Sequence, residues 1–308
     1  MARVLVTGGA GFIGSHLVEA LAAEEHKITV LDNLSTGKLS NLSGVEGKIS
    51  LIKGDIRDAE LVMKACANQE FIFHLAAIAS VPYSIQHPAE THEINATGTL
   101  NILLAAKASG AKRVIHSSSA SVYGDEPSLP KKESSPLKPL SPYALTKMSG
   151  EEYAALFNRL YNVETVVLRY FNVFGPRQDP ASPYSGVITK FVSLLKAGKQ
   201  PIIFGDGKQT RDFIFVKDIV QANLKAMTSP KAAGKVFNIA TGKQVSLNEL
   251  LATLCTILDT KISPKYEARQ PGDILHSAAD ISEAKSVLNF LPAASFQEGL
   301  KQTVAYLK

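Results

Sequence analysis

The run Val4-Leu5-Val6-Thr7-Gly8-Gly9-Ala10-Gly11-Phe12-Ile13-Gly14 decides how the chain is read. Three apolar residues make a buried strand. The strand runs into a glycine cluster and then into a helical pattern. Gly9, Gly11 and Gly14 fit G-x-G-x-x-G, and Gly8, Gly11 and Gly14 fit G-x-x-G-x-x-G. Glycines at this spacing let the chain turn sharply, bring its backbone against a pyrophosphate and pack the helix on the sheet. The helix N-terminus adds free N–H groups and partial positive charge. A Gly-rich turn alone is weak evidence, but a strand precedes this one and a helix follows. A second strand, Ile28-Thr29-Val30-Leu31, ends in Asp32, near the spacing of about 20 residues that dinucleotide sites show. Asp32 suits ribose hydroxyls and repels a 2′-phosphate, so NAD is expected over NADP, with Lys38 close enough to keep NADP open.

Working outward, the 308 residues suit two domains, or one large α/β domain with an appended lobe. With 45% hydrophobic and 20% charged residues, the composition is that of a globular protein with a sizeable core. The net charge of +5 is spread without a basic run, which argues against nucleic-acid binding and suits a small anionic substrate. Cys66 and Cys255 lie in apolar helical patterns and read as buried free thiols. No signal peptide, membrane-spanning run or metal-ligand cluster is recognised, so a cytoplasmic protein without a metal is expected.

Residues 33–48 read as a polar loop. Ile49 to Lys53 forms the third strand, and Asp55 follows it, either facing a ligand or capping a helix near Asp58–Ala67. Phe71-Ile72-Phe73-His74 is the fourth strand, with His74 read as a core residue and the small run Leu75-Ala76-Ala77 open to close approach. One long helix is expected over Ala89–Ser109. Its Asn95, among apolar positions, either bridges backbone groups or reaches a cofactor. Val114-Ile115-His116 delivers Ser117, Ser118 and Ser119. A five-proline stretch, Pro127 to Pro142, reads as an ordered surface loop. Then Tyr143 and Lys147, four residues apart, share a face of a helix running to about Tyr161. Tyr-x-x-x-Lys is common by chance. It gains weight behind a glycine-rich nucleotide site and a serine cluster at a strand end.

In that combination the sequence resembles the extended branch of the short-chain dehydrogenase/reductase superfamily, and within it the UDP-sugar 4-epimerases. The resemblance also covers Asp32-Asn33, Gly54-Asp55-Ile56, Ser117–Gly124, Arg169–Gly175, Gly205-Asp206-Gly207, Arg211-Asp212-Phe213 and the run Arg269 to Asp280. It implies a Rossmann-type doubly wound parallel sheet over residues 1–170, with 218–240 returning to it, and a smaller α/β substrate lobe over 171–308. It implies a homodimer through a four-helix bundle built from helices 89–109 and 143–161. NAD would be bound by Gly8, Gly11, Phe12, Ile13, Gly14, Asp32, Asn33, Ser35, Thr36, Gly37, Asp55, Ile56, Leu75, Ala76, Ala77, Asn95, Ser117, Tyr143, Lys147, Tyr170 and Val173.

The implied reaction inverts the 4-hydroxyl of a UDP-hexose through a 4-keto sugar. Tyr143 is the base, Lys147 favours its phenolate, and Ser119 holds O4. Ser118, Asn172, Val187, Ile202, Phe204, Arg211, Arg269, Asp273 and Ser277 would complete the substrate site. For Arg211 the plainer alternative is a salt bridge with Asp212 or Asp218. Related dehydratases and decarboxylases carry an acid where this chain has Ala120 and Ser121, which favours epimerisation. Ser277 occupies the family's gate position, four after Asp273, where a large aromatic closes the pocket at the sugar's 2-position. A serine leaves room for an N-acetyl group, and Arg169–Asp179 also resembles the N-acetylhexosamine-accepting subgroup, so activity on UDP-GlcNAc/UDP-GalNAc as well as UDP-Glc/UDP-Gal is expected. The chain departs from the family in carrying Gln270 where an arginine is usual, with Arg269 one residue earlier. The rival readings are a nucleotide-sugar dehydratase or decarboxylase, a UDP-glucuronate 4-epimerase and a non-catalytic NAD-sensing regulator.

Overall fold

In this computed structural model, residues 1–179, 186–269 and 275–307 are described. Strand β1 (Arg3–Thr7) has Val4, Leu5 and Val6 fully buried, so both of its faces are covered. A strand buried on both sides belongs inside a parallel sheet clad by helices. The chain leaves it through α1 (Phe12–Ala23) and returns in β2 (Lys27–Asp32) and β3 (Ile49–Lys53), each parallel to its neighbour. It passes through α2 (Ala59–Cys66), then crosses to the other side of β1 as β4 (Phe71–His74), so the switch in winding direction lies between β1 and β4. Short helices α3 (Val81–Gln86) and α4 (Pro88–His92), helix α5 (Gly98–Ser109), β5 (Arg113–Ser119), α6 (Pro142–Tyr161) and β6 (Glu164–Tyr170) follow. In open sheets of this kind, ligands sit outside the strand C-termini at that switch.

Beyond β6 come β7 (Asn172–Phe174), α7 (Val187–Lys196), β8 (Ile202–Phe204), β9 (Thr210–Arg211), β10 (Phe213–Phe215) and α8 (Val216–Thr228). Then β11 (Lys235–Ile239) pairs with β6 and completes a seven-stranded sheet of order β11-β6-β5-β4-β1-β2-β3. The doubly wound parallel sheet read from the sequence is the one observed. One sheet face packs on α1 and α8 through Leu17, Val18, Leu21, Ile219 and Ala226. The other packs on α2, α5 and α6 through Val62, Ile102, Leu103 and Phe157. A separate core of Phe174, Phe191, Phe213, Phe215, Leu250 and Leu300 holds the C-terminal lobe. Among the described residues, no helix is long and apolar enough to cross a membrane.

Three local readings change, and that of the proline-rich stretch as an ordered loop holds. The helix expected over 89–109 is α4 and α5 joined by a π turn at Glu93–Thr97, which carries Asn95. Such turns insert one residue and often mark functional positions. The polar loop after β2 holds a 3-10 turn, Leu39–Val45, because Leu42 and Val45 three residues apart both reach the core. The proline-rich loop is tied down where Lys131 exchanges backbone hydrogen bonds with Ala278 and Asp280. Cys66 is buried, and burial pushes its thiol up to about 12, whereas Cys255 is only half-buried.

Candidate active site

The glycine turn closes the sheet's switch point. Gly8 has φ of +70°, and a Cβ there would lie 2.7 Å from the Ala76 nitrogen. Only glycine allows this strand end to sit against the Leu75-Ala76-Ala77 run. Gly11 is the N-cap of α1 without a side-chain capping bond, so the backbone N–H groups of the first turn point into the crevice. The Asp32 carboxylate, 7% exposed, accepts from the N–H groups of Ala10 at 2.9 Å and Leu34 at 2.8 Å. Gly37 lies under the same loop, where an added Cβ would come 3.0 Å from Ala10 and Asp32. A backbone cradle at a helix N-terminus, with a carboxylate at the next strand end, fits a dinucleotide's pyrophosphate and ribose.

At the edge of this crevice, Asn33 donates to Asp55 at 3.0 Å, and the Asn33 side chain accepts from the Ser35 N–H. Arg57 grips Asp55 through Nε at 3.0 Å and Nη2 at 2.9 Å, which with Asn33 holds that carboxyl down at about 2. Asp58, not Asp55, caps α2. Thr36 is exposed beside Ser35. The side chain of Phe12 leans on the lobe core and that of Ile13 on both cores, and Ile56 is buried against Gly98. The Tyr170 side chain is buried too, its hydroxyl bonded with Asn223, so Tyr170 and Ile56 place backbone rather than side chains near the crevice. Asn95 uses both amide hydrogens inside the protein, on the Ile78 carbonyl at 3.0 Å and the Thr146 hydroxyl at 3.2 Å, and accepts from the Ile78 N–H. It takes the bridging alternative and fixes the loop after β4.

The three serines ending β5 divide by strand alternation. Ser117 donates to the His74 carbonyl at 2.9 Å. Ser118 is 4% exposed and donates to Glu151, so it faces away from the crevice, contrary to its assignment as a substrate contact. Ser119 lies beside the half-buried Tyr143, and its hydroxyl accepts from the Ser121 N–H and so caps the following turn. Burial raises the Tyr143 phenol above its ordinary value, and Ser119 opposes the rise. Lys147 is buried and donates to the Ser117 carbonyl at 2.9 Å. Burial brings its ammonium down to about 8, with Glu151 working the other way. His74 is a core residue bridging Thr7 and Thr99 at 2.8 and 2.9 Å, and burial pushes it down to about 3. It stacks on His116, 5.5 Å away between ring centroids, which burial also keeps neutral.

On the lobe side, a cavity of about 240 Å³ is lined by Phe204, Gly205, Asp206, Gln209, Arg269 and Leu275. Phe204 and Arg269 are thus brought together. Gln209 and Leu275 were missed, although Gln209 stands two residues after the Gly205-Asp206-Gly207 turn. Ile202 shares a strand face with Phe204 but is 41% exposed and lies outside this lining. The Arg211 guanidinium donates to the carbonyls of Thr210 at 2.9 Å and Leu275 at 3.3 Å. Neither acid named as its alternative partner is available. Asp212 accepts from Thr241 and Gly242, and Asp218 from Ala293 and Ala294. Asn172 donates to the Asp212 carbonyl, Val173 packs between the two cores, and Val187 opens α7 against the lobe core. Ser277 is half-buried and donates its N–H to the Thr210 carbonyl at 3.1 Å. Asp273 and Gln270 lie outside the described residues.

A profile of the NAD dependent epimerase/dehydratase family matches residues 4–240. A putative UDP-glucose 4-epimerase of Methanocaldococcus jannaschii is 41% identical over 99% of this chain and 98% of its own length. Among solved structures, a UDP-N-acetylglucosamine 4-epimerase from Methanobrevibacter ruminantium, in complex with UDP-N-acetylmuramic acid, superposes with a TM-score of 0.95 at 44% identity, covering 99% of this chain and 97% of that one. A UDP-glucose 4-epimerase from Thermotoga maritima, with UDP-glucose, gives a TM-score of 0.94 at 39% identity, covering 99% and 98%.

Proposed function

Since the chain belongs to the NAD dependent epimerase/dehydratase family, we propose that it is a UDP-sugar 4-epimerase that accepts N-acetylhexosamines as well as hexoses. The observation that carries the reading is the catalytic corner, where Ser119 lies beside Tyr143 and Lys147 is held by the neighbouring Ser117 carbonyl. Bound NAD supplies a hydride acceptor and donor for C4 of the sugar. Tyr143 removes the proton of the 4-hydroxyl, and Ser119 orients O4 beside it. Lys147, charged below about pH 8, stabilises the phenolate that a buried tyrosine alone disfavours. The cradle at Gly8–Gly14 with Asp32 orients the dinucleotide. Residues 1–170 with 218–240 hold the cofactor, and the lobe over 171–308 holds the UDP-sugar, with Phe204 and Arg269 at its nucleotide.

Three features favour epimerisation of N-acetylated substrates. No carboxylate stands at Ala120 or Ser121 to assist elimination. Ser277 is small at the gate position. The Methanobrevibacter enzyme, 44% identical, is a UDP-N-acetylglucosamine 4-epimerase. The protein also pairs with a second copy. Leu104 on α5 and Leu145, Tyr153, Leu156 and Leu160 on α6 expose 36–59% of their surface, an apolar stripe suited to a helix–helix interface.

The deciding assay incubates the purified protein with UDP-Gal and UDP-GalNAc in parallel, with and without added NAD. Mass-neutral conversion of both supports the whole reading. Conversion of UDP-Gal alone removes the N-acetyl part. Release of water or CO₂ from a nucleotide sugar, without epimer, replaces it with the dehydratase or decarboxylase reading.

A further inference from the structure

Three residues on one face of α6, one turn apart, reach three consecutive serines at the end of β5. Tyr143 meets the Ser119 hydroxyl, Lys147 meets the Ser117 carbonyl, and Glu151 accepts the Ser118 hydroxyl. The first two perform the proposed chemistry, and the third has had no role so far. Glu151 is 4% exposed and sits in the fork of Arg169, with Nη2 at 2.6 Å and Nε at 3.0 and 3.1 Å. Arg169, 5% exposed, continues to the Tyr123 hydroxyl at 2.8 Å, which donates to Asn238 at 2.7 Å. Apolar side chains fill buried space at least as stably as an ion pair does. The arrangement therefore points to a spatial or electrostatic task.

We propose that Glu151 is a positioning residue for the reaction. Its carboxylate fixes Ser118, and through that one short run of backbone it fixes both the carbonyl that holds Lys147 and the hydroxyl beside Tyr143. Its charge, one turn from Lys147, also sets where the pair titrates. The Lys147 amine is faced from β4 and β5 by His74 and His116, both neutral, and along its own helix by Tyr143 and Glu151. Arg169, from β6, faces Glu151. Glu151 is thus the acidic group nearest along the helix to the ammonium that the chemistry needs. This assignment rests on the epimerase reading above.

The test compares NAD-loaded wild-type protein with Glu151→Gln, which removes the charge, and Ser118→Ala, which keeps the ion pair and cuts the link. Two readouts are taken across pH: epimerisation (kcat and KM) and phenolate absorbance, with Tyr143→Phe as the blank. For Glu151→Gln, kcat is expected to fall about tenfold or more while KM stays within about twofold, because Glu151 touches no substrate. Loss of a negative charge lowers the pKa of both Tyr143 and Lys147. Both limbs of the profile and the phenolate titration therefore move to lower pH by on the order of one unit. For Ser118→Ala, kcat falls several-fold with both limbs in place.

Activity lost only in proportion to unfolded protein, with unmoved titrations, makes Glu151 merely structural and overturns the proposal. So does wild-type behaviour in both variants. If Glu151→Gln does not fold, Ser118→Ala decides, and an unchanged kcat overturns the link. If wild-type protein epimerises nothing, the phenolate titration still reads. A shift in Glu151→Gln then keeps the Glu151–Tyr143 coupling while the epimerase reading falls, and no shift removes both.

Discussion

Lys147 Nζ lies 2.9 Å from the carbonyl oxygen of Ser117, so the buried ammonium is held by the same strand end that presents Ser119 to Tyr143. A residue of β5 and a residue of α6 are thereby locked in register. The cation is kept where it can stabilise a phenolate, in a pocket whose imidazoles carry no charge.

The first prediction concerns pH. Burial brings Lys147 down to about 8, so its proton, and with it the support for the phenolate, is lost as pH rises through that value. The alkaline limb of kcat should fall near pH 8. The sign for stability is opposite. A lysine whose folded pKa lies below its unfolded value of about 10.4 holds fewer protons folded than unfolded between the two. Its contribution to stability therefore grows with pH across that window. Activity declining above pH 8 without a matching fall in melting temperature, attributable by a Lys147→Met comparison, is the expected pair of results.

Gly8→Ala tests the cofactor cradle. The substitution places a Cβ 2.7 Å from the Ala76 nitrogen and forces a positive φ on an L-residue, at about 1–2 kcal/mol for the conformation alone. The strand ends must part, and NAD affinity measured by calorimetry should drop about tenfold or more. An alanine variant with unchanged affinity would show that the cradle is not the pyrophosphate site.

At the gate, Ser277→Tyr should separate the two substrate classes. A tyrosine fills the space assigned to the N-acetyl group, so kcat/KM for UDP-GalNAc is expected to fall by about tenfold or more, the loss of roughly 1.4 kcal/mol, while UDP-Gal stays within about threefold. Equal losses on both sugars would place the residue's effect elsewhere in the lobe.

The apolar stripe on α5 and α6 gives a prediction of assembly. Leu160 is 59% exposed, and Leu160→Glu would put a charge into the proposed helix bundle. Light scattering after gel filtration should read a dimer for wild-type protein and a monomer for the variant. A wild-type monomer removes the bundle.

How much of this could be read from the chain depends on how local the cause is. The glycine turn, the helix after it and Asp32 follow from short-range constraints: a tight bend, an uncapped helix N-terminus and alternation that buries a strand on both faces. The sheet class was legible for the same reason. Tyr143 and Lys147 were legible because a four-residue spacing fixes their common helical face.

Side chains whose partners lie far away in sequence were not legible. Three identical serines look alike in the sequence. Only the pairing of β5 with α6 sends Ser119 to Tyr143 and turns Ser118 back to Glu151. Asn95 reads equally as a ligand or a bridge until the fold brings Ile78 and Thr146 to it. Tyr170 looks like a site residue by its neighbours, but Asn223, 53 residues on, takes its hydroxyl into the core. Arg211 has two adjacent or nearby acids in sequence, and both turn out to be committed to backbone N–H groups of distant loops. The sequence by itself determined the backbone's local conformations and the cofactor crevice they create. The tertiary structure alone decided which polar side chains face that crevice, because a buried polar group must find its hydrogen-bond partner wherever the packing of strands and helices has placed one.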